Sequence, residues 1–161
     1  LQAVLPISKG DDVMLATTLG QSIRFKETDV REMGRSAGGV RAIKLGKGDY
    51  VIGVDRISKG DSTLSILTLS SNGLGKKTNI KEYKVQKRGG SGIKTAKVTQ
   101  KTGKLIVGKI VGEESEIIAV SAKGQVIRVN LSSIPTSGRQ TQGVTIMKLR
   151  EGDSIASITC L

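Results

Sequence analysis

Along this chain short apolar, β-branched runs alternate with polar breaks marked by glycine, and the alternation repeats. Starting near Asp11, Ser62 and Ser115, three segments can be laid over one another. Each has an apolar run (DVMLAT, SILTLS, EIIAVS), a glycine turn (TLGQ, SNGL, AKGQ) and a second run. A polar stretch with Arg and Gly follows, then a GVRAIKL-type run, a turn near GKGD or EGD, and a closing apolar run. Gly20, Gly73 and Gly124 are 53 and 51 residues apart. So are Arg24, Lys77 and Arg128; Arg35, Arg88 and Arg139; Gly39, Gly92 and Gly143; and Lys44, Lys97 and Lys148. No window carries a helical stripe, so each unit predicts four short strands in one antiparallel sheet. One such sheet cannot bury its faces alone, and a period of about 50 residues predicts stacked blades.

The sequence therefore predicts an all-β, propeller-like fold of three four-stranded antiparallel blades, at about 11–61, 62–112 and 113–161. ISKGD at 7–11 repeats ISKGD at 57–61, so residues 1–10 read as the last strand of a preceding repeat. Together with the first residue, Leu1, this suggests a piece of a longer chain, one partial domain over 1–161. The WD and GH dipeptides of 40-to-45-residue propeller repeats are absent, which disfavours that class. The glycines at 20, 73 and 124 suit hairpin turns, and those at 39, 92 and 143 suit a bulge or close packing against a neighbouring blade.

Composition narrows the chemistry. Among 161 residues there is no histidine and one cysteine, Cys160, which leaves no ordinary His/Cys zinc site and no Ser-His-Asp or Cys-His catalytic group. No catalytic or metal residues are expected. A lone thiol fits a reducing compartment, and neither a membrane-spanning run nor a signal peptide is evident, so a cytoplasmic protein without a membrane partner is expected.

Charge sharpens this. The 26 Lys and Arg exceed the 14 Asp and Glu, giving +12 and suggesting a polyanionic partner. Residues 1–61 carry ten basic and eight acidic side chains, 62–112 carry eleven and one, and 113–161 carry five and five. The excess sits on the middle repeat. Only Phe25, Tyr50 and Tyr83 are aromatic, too few for a base-stacking platform, and no basic helix is available for a major groove. Non-sequence-specific contact with duplex backbone, bending the DNA along a basic rim, is the reading that remains.

Arg35, Arg88 and Arg139 lie in Gly- or Ser-rich loops suited to phosphate, with a carbonyl-tied arginine as the structural alternative. Lys44, Lys97 and Lys148 are placed in the GVRAIKL-type strand, and Arg24, Lys77 and Arg128 beside the hairpin turn. Lys76, Lys87 and Lys94 complete the candidate DNA contacts.

GRSAGGVRAIKL, SSNGLGKKTNIKEYKVQKRGGSGIKTAKV and GRQTQGVTIMKL followed by EGDSIASI resemble the C-terminal domain of bacterial DNA gyrase A proteins, over essentially the whole chain. The corresponding domain of topoisomerase IV is similar, less closely. The resemblance implies a six-bladed β-pinwheel whose basic rim wraps duplex DNA for ATP-dependent negative supercoiling, with this chain supplying three blades, half the disc. It further implies that the cleaving tyrosine, ATP and Mg belong elsewhere in the holoenzyme, so this chain needs no cofactor. The partners implied are the remainder of gyrase A and its companion gyrase B, in an A2B2 heterotetramer associated with the bacterial nucleoid. Gln86, Lys87, Arg88, Gly89, Gly90, Ser91 and Gly92 resemble the family's Gln-Arg-Arg-Gly-Gly-Lys-Gly box, departing at the second and sixth positions. They are expected to be a related rim loop, with the box itself upstream. Tyr83 aligns with Val30 and Ile134 and is expected to pack between blades. The alternatives are the C-terminal domain of a topoisomerase IV A protein, or a protein-interaction propeller docking an acidic partner.

Overall fold

The computed structural model describes residues 3–112 and 114–161, so Leu1, Gln2 and Glu113 lie outside the described residues. Each repeat begins with the predicted hairpin: β1 (Asp12–Thr17) with β2 (Gln21–Lys26), β4 (Ser65–Ser70) with β5 (Leu74–Asn79), and β8 (Glu116–Ser121) with β9 (Val126–Asn130). Gly20, Gly73 and Gly124 close these hairpins at φ 80°, 82° and 80°, a left-handed conformation that a side chain would strain. The closing strands β3 (Val51–Ile57), β7 (Leu105–Val111) and β11 (Ile155–Cys160) pair antiparallel with the first strand of their own hairpins.

The fourth strand departs from expectation. β6 (Ile93–Lys94) and β10 (Val144–Thr145) are the GVRAIKL-type segments of the second and third repeats, yet β6 pairs with β2 and β10 with β5 of the preceding repeat. The sheets run β3-β1-β2-β6, β7-β4-β5-β10 and β11-β8-β9. Among the described residues two sheets have four strands and the third has three. Residues 40–45, expected to be a strand, form none. Residues 3–8, expected as the tail of an earlier blade, form no strand either. Only the turn after them is repeated, with Asp11 N donating to Ser8 O as Asp61 N donates to Ser58 O (both 3.1 Å).

Strand period explains the packing. Met14 and Ala16 face one way from β1 and join Ile57, Ile66, Ile80, Tyr83 and Ile110 between the first two sheets. From β4, Leu67 and Leu69 face the other way, onto Ile117 and Ala119 of the third sheet. The middle sheet is covered on both faces, so Ile66–Ser70 are all buried. Tyr83 fills the first junction as expected, 2% exposed, with its hydroxyl 2.6 Å from Thr95 Oγ1. On the inner edge, Asp55 of β3 accepts the N–H of Ile110 in β7 at 2.8 Å, and burial raises its carboxyl above the usual range. β3, β7 and β11 line an open cavity of about 600 Å³. No described helix is long and apolar enough to cross a membrane.

Strand exchange depends on one glycine column. A Cβ at Gly92 (φ 70°) would lie 2.2 Å from Ser22 O, and one at Gly143 (φ 81°) would lie 2.4 Å from Gly75 O. At Gly39 (φ 77°) nothing stands within 4 Å. Gly39→Ala is expected to cost only the left-handed strain, about 1 to 2 kcal/mol. Gly92→Ala should cost about 1 to 2 kcal/mol more, because backbone must also move, as measured by urea unfolding. Equal losses would show that the exchanged strand yields freely.

Candidate nucleic-acid interface

The basic residue after each hairpin turn meets a different environment in the middle repeat. Arg24 Nε and Nη2 donate to Asp12 Oδ2 at 2.8 and 2.7 Å, and its Nη1 reaches Ile80 O and Tyr83 O, both at 3.3 Å. Arg128 pairs with Glu116 in the same way. In the middle repeat the column held by Asp12 and Glu116 is occupied by Ser65, and among the described residues Lys77 has no carboxylate partner. A second column behaves alike. Asp49 gathers Thr17 Oγ1, Thr18 Oγ1 and Leu19 N at 2.8 to 2.9 Å, and Asp153 accepts from Ser121 Oγ at 2.6 Å and Lys123 N at 3.0 Å. The Ser121 bond is the main reason the Asp153 carboxyl lies below its ordinary range. At the equivalent place Thr102 closes the turn with neutral hydrogen bonds, accepting Thr99 N at 2.9 Å. Hence the middle repeat keeps the turn while losing both structural charges. Among the described residues it forms no ion pair.

The loop arginines staple repeats together. Arg88 Nε donates to Asp29 O at 2.7 Å and Nη1 to Arg41 O at 3.0 Å, while Arg139 Nη1 donates to Lys94 O at 3.0 Å. Arg41 and Lys94 occupy one column, so each staple joins a repeat to the one before it. The box-like loop is docked as well. Gln86 N donates to Arg24 O at 2.7 Å, Gly89 N donates to Ala42 O at 2.6 Å, and Gly90 O accepts Lys44 N at 2.8 Å. In this loop, read from the sequence as suited to phosphate, the Gly89 amide is thus committed to the first repeat. Arg35 is exposed.

Lys76 corrects a second expectation. It is 1% exposed, and its Nζ donates to Arg139 O at 2.7 Å and to Gly138 O, so it cannot reach a phosphate from the surface. Burial lowers its pKa from 10.5 to about 8, with Glu82 opposing the shift and Arg139 adding to it. Ile23 and Ile127 share its column, which marked the position as inward-facing in the sequence. Lys77 beside it is half-buried, with its backbone bonded to Pro135 O (2.9 Å) and Ser137 N (2.9 Å) of the third repeat.

The free charge lies elsewhere. Lys87, Lys94 and Lys97 are exposed on and around β6, at the outer edge opposite β3, and Ser91 and Gly92 lie between them. Lys44, Lys97 and Lys148 are exposed but follow rather than occupy the exchanged strands, which end at Lys94 and Thr145. Lys81, Lys84, Lys101 and Lys104, not singled out from sequence, are also exposed. The signal for them in the sequence is the loss of acid at Ser65 and Thr102, in two columns where the flanking repeats keep Asp or Glu.

The family described as DNA gyrase C-terminal domain, beta-propeller, matches residues 11–58, 65–107 and 115–161, one match in each repeat. The DNA gyrase A protein of Ureaplasma parvum serovar 3 is 39% identical over 158 residues, covering 98% of this chain and 18% of the relative. The chain therefore spans about a fifth of that relative's length. A solved structure of a DNA gyrase A C-terminal domain superposes with TM-score 0.85 at 27% identity, over 96% of this chain and 52% of the other. The C-terminal domain of a DNA topoisomerase IV superposes with TM-score 0.86 at 20% identity, over 94% and 46%, a likeness of fold.

Proposed function

Since the chain belongs to the DNA gyrase C-terminal β-propeller family, we propose that it binds duplex DNA without sequence preference along the outer edge of its sheets and bends it there. The observation that carries this reading is the unneutralised middle repeat, in which Ser65 and Thr102 stand where the flanking repeats hold Asp12 and Glu116, Asp49 and Asp153. The contacts proposed are Lys77, Lys87, Lys94 and Lys97, with Lys44 and Lys148 extending the track on either side. Arg24 and Arg128 are paired within their sheets and Arg88 and Arg139 bonded to carbonyls, so their part is to hold the surface that phosphates meet. Within the holoenzyme this segment would work as part of gyrase A, together with gyrase B, in the bacterial cytoplasm at the nucleoid. There the ATP- and Mg-dependent chemistry of the other segments would turn the bend into negative supercoils.

The test is duplex affinity against salt. Backbone contact predicts a log-log slope of about −0.9 per phosphate neutralised. A flat response overturns the reading, and equal retention by heparin of matched charge density would favour an acidic protein partner instead. Restoring one carboxylate offers a finer test. Ser65→Asp is expected to pair with Lys77 as Asp12 pairs with Arg24, weakening binding by roughly three- to tenfold at 0.15 M salt while leaving the melting temperature unchanged. Unaltered affinity would remove Lys77 from the track.

A further inference from the structure

The third repeat arches over the outer edge of the middle sheet. Its chain leaves β5 beside Lys77, where Ser137 N donates to Lys77 O at 2.9 Å, and returns at β10, where Val144 lies opposite Gly75. Residues 138–142 form the arch, and Lys76 stands beneath it. Its Nζ donates to Gly138 O and to Arg139 O, the latter at 2.7 Å, and Gly138 O also accepts Thr141 Oγ1 at 2.8 Å. A planar trans peptide points its N–H opposite its C=O. The amides of Arg139 and Gln140 therefore face away from the ammonium, out of the arch. Arg139 N already meets an anion there, Glu82 Oε2 at 3.3 Å, the carboxylate of the one acidic residue in 62–112. Gln140 is exposed, and its N–H has no acceptor among the described residues.

The equivalent arch of the second repeat, residues 87–91, is built differently. There the residue beneath is Ile23, fully buried, and the amide of Gly89 is committed to Ala42 O. We infer that the 138–142 arch is a phosphate site, in which the outward amides of Arg139 and Gln140 hold a phosphodiester oxygen of bound duplex and Lys76 supplies positive charge from behind. This rests on the duplex reading above and gives one phosphate a place. Successive outward amides make a concave anion cradle, and a buried charge is screened by salt much less than one on the surface. The ammonium also fixes both peptides, so the cradle is already ordered when the anion arrives. Position supports a DNA phosphate as the occupant. Arg139 Nη1 donates to Lys94 O at 3.0 Å and Lys97 N to Thr141 O at 3.1 Å, which seats the arch beside two lysines of the proposed track. Glu82 holds the place in the free protein and moves aside as the phosphate enters.

The amide resonances of Arg139 and Gln140 read the site below the Lys76 pKa of about 8, where the ammonium persists. Inorganic phosphate at constant ionic strength, and separately a short duplex, should each move both amides downfield, the duplex shift following total binding. If duplex binds while both amides stay still, the cradle is overturned and the duplex reading stands. If no duplex binds, that reading falls, and the duplex phosphate as occupant falls with it, whatever inorganic phosphate does. Lys76→Met should abolish the phosphate shifts, weaken duplex binding about fivefold at 0.15 M salt and lower the salt slope by about 0.9, although residue 76 is out of reach of DNA. Unchanged shifts in a folded variant would also overturn the cradle. Glu82→Gln keeps Lys76 and clears the carboxylate from Arg139 N. It should tighten inorganic phosphate about threefold, as loss of one like charge a few ångströms away in water does. Glu151→Gln, the same charge change in the turn beside Lys123, should leave that affinity unmoved. Equal responses from the two would show an effect of net charge and no cradle.

Discussion

Replacing Lys87, Lys94 and Lys97 together by glutamine is expected to weaken duplex binding about a hundredfold at 0.15 M salt and to flatten the salt dependence by nearly three powers. Each phosphate contact contributes roughly 0.9 to the log-log slope. If that electrostatic contribution fades near 1 M, one contact is worth about five- to sixfold at 0.15 M, and three contacts multiply to the figure given. The three side chains are exposed and make no ion pair among the described residues, so folding should be untouched. The same triple change at Lys9, Lys59 and Lys123 is the control, and it should cost several times less because those exposed lysines lie outside the proposed track. A comparable loss from the control set would mean that DNA senses net charge alone. Arg88→Ala is unsuited to this comparison, because it would free the carbonyls of Asp29 and Arg41 and loosen the loop as well as remove a charge.

The second large effect concerns stability. In the unfolded chain Lys76 holds its proton up to its ordinary pKa of 10.5, and in the fold burial makes it release the proton near 8. Between those values the unfolded state binds more protons, so stability rises with pH. Below about 8 both states are protonated and the group adds no slope. At about 1.4 kcal/mol per unit, the window gives the fold roughly 3 kcal/mol by pH 10.5 relative to pH 7.5. Lys76→Met removes that gain, so the difference in unfolding free energy between wild type and variant should change by about 3 kcal/mol across the window. Comparing the two proteins cancels the titration of the other lysines and tyrosines. A constant difference would show a hydrated amine. At neutral pH the charged ammonium persists in a column where Ile23 and Ile127 are apolar, and it is tolerated because the carbonyls of Gly138 and Arg139 receive it. Its removal would leave those carbonyls bare, so the variant should also lose order in the 138–139 loop.

Much of the fold was legible because turns and strand starts depend on local chemistry. The glycine columns predicted the positive φ at 20, 73 and 124, and the apolar runs predicted the hairpins that follow from it. Strand exchange was not legible. The segment around Ile93 has the same alternation whether it joins β5 of its own repeat or β2 of the one before, and only the path of the chain decides. The same ambiguity hid the loop arginines. A basic, glycine-rich loop serves an anion or a row of carbonyls with equal composition, and here Arg88 and Arg139 meet carbonyls. Lys76 was readable in principle, since an isoleucine column signals burial before any contact is known. The charge of the middle repeat was plain from counting, but its cause, the loss of Asp-type partners at Ser65 and Thr102, required knowing which side chains face each other.

The borrowed strand also sets a timetable for synthesis. β3 ends at Ile57, but its sheet lacks an edge until β6 at Ile93 has left the ribosome, and the next sheet waits in turn for Val144. At roughly 5 to 20 residues per second each nascent sheet stands incomplete for some seconds, its open edge facing any other strand in reach. A ribosome pause placed within that interval should therefore raise misassembly between neighbouring nascent chains, whereas one placed after β10 should not, because both borrowed strands are then in place.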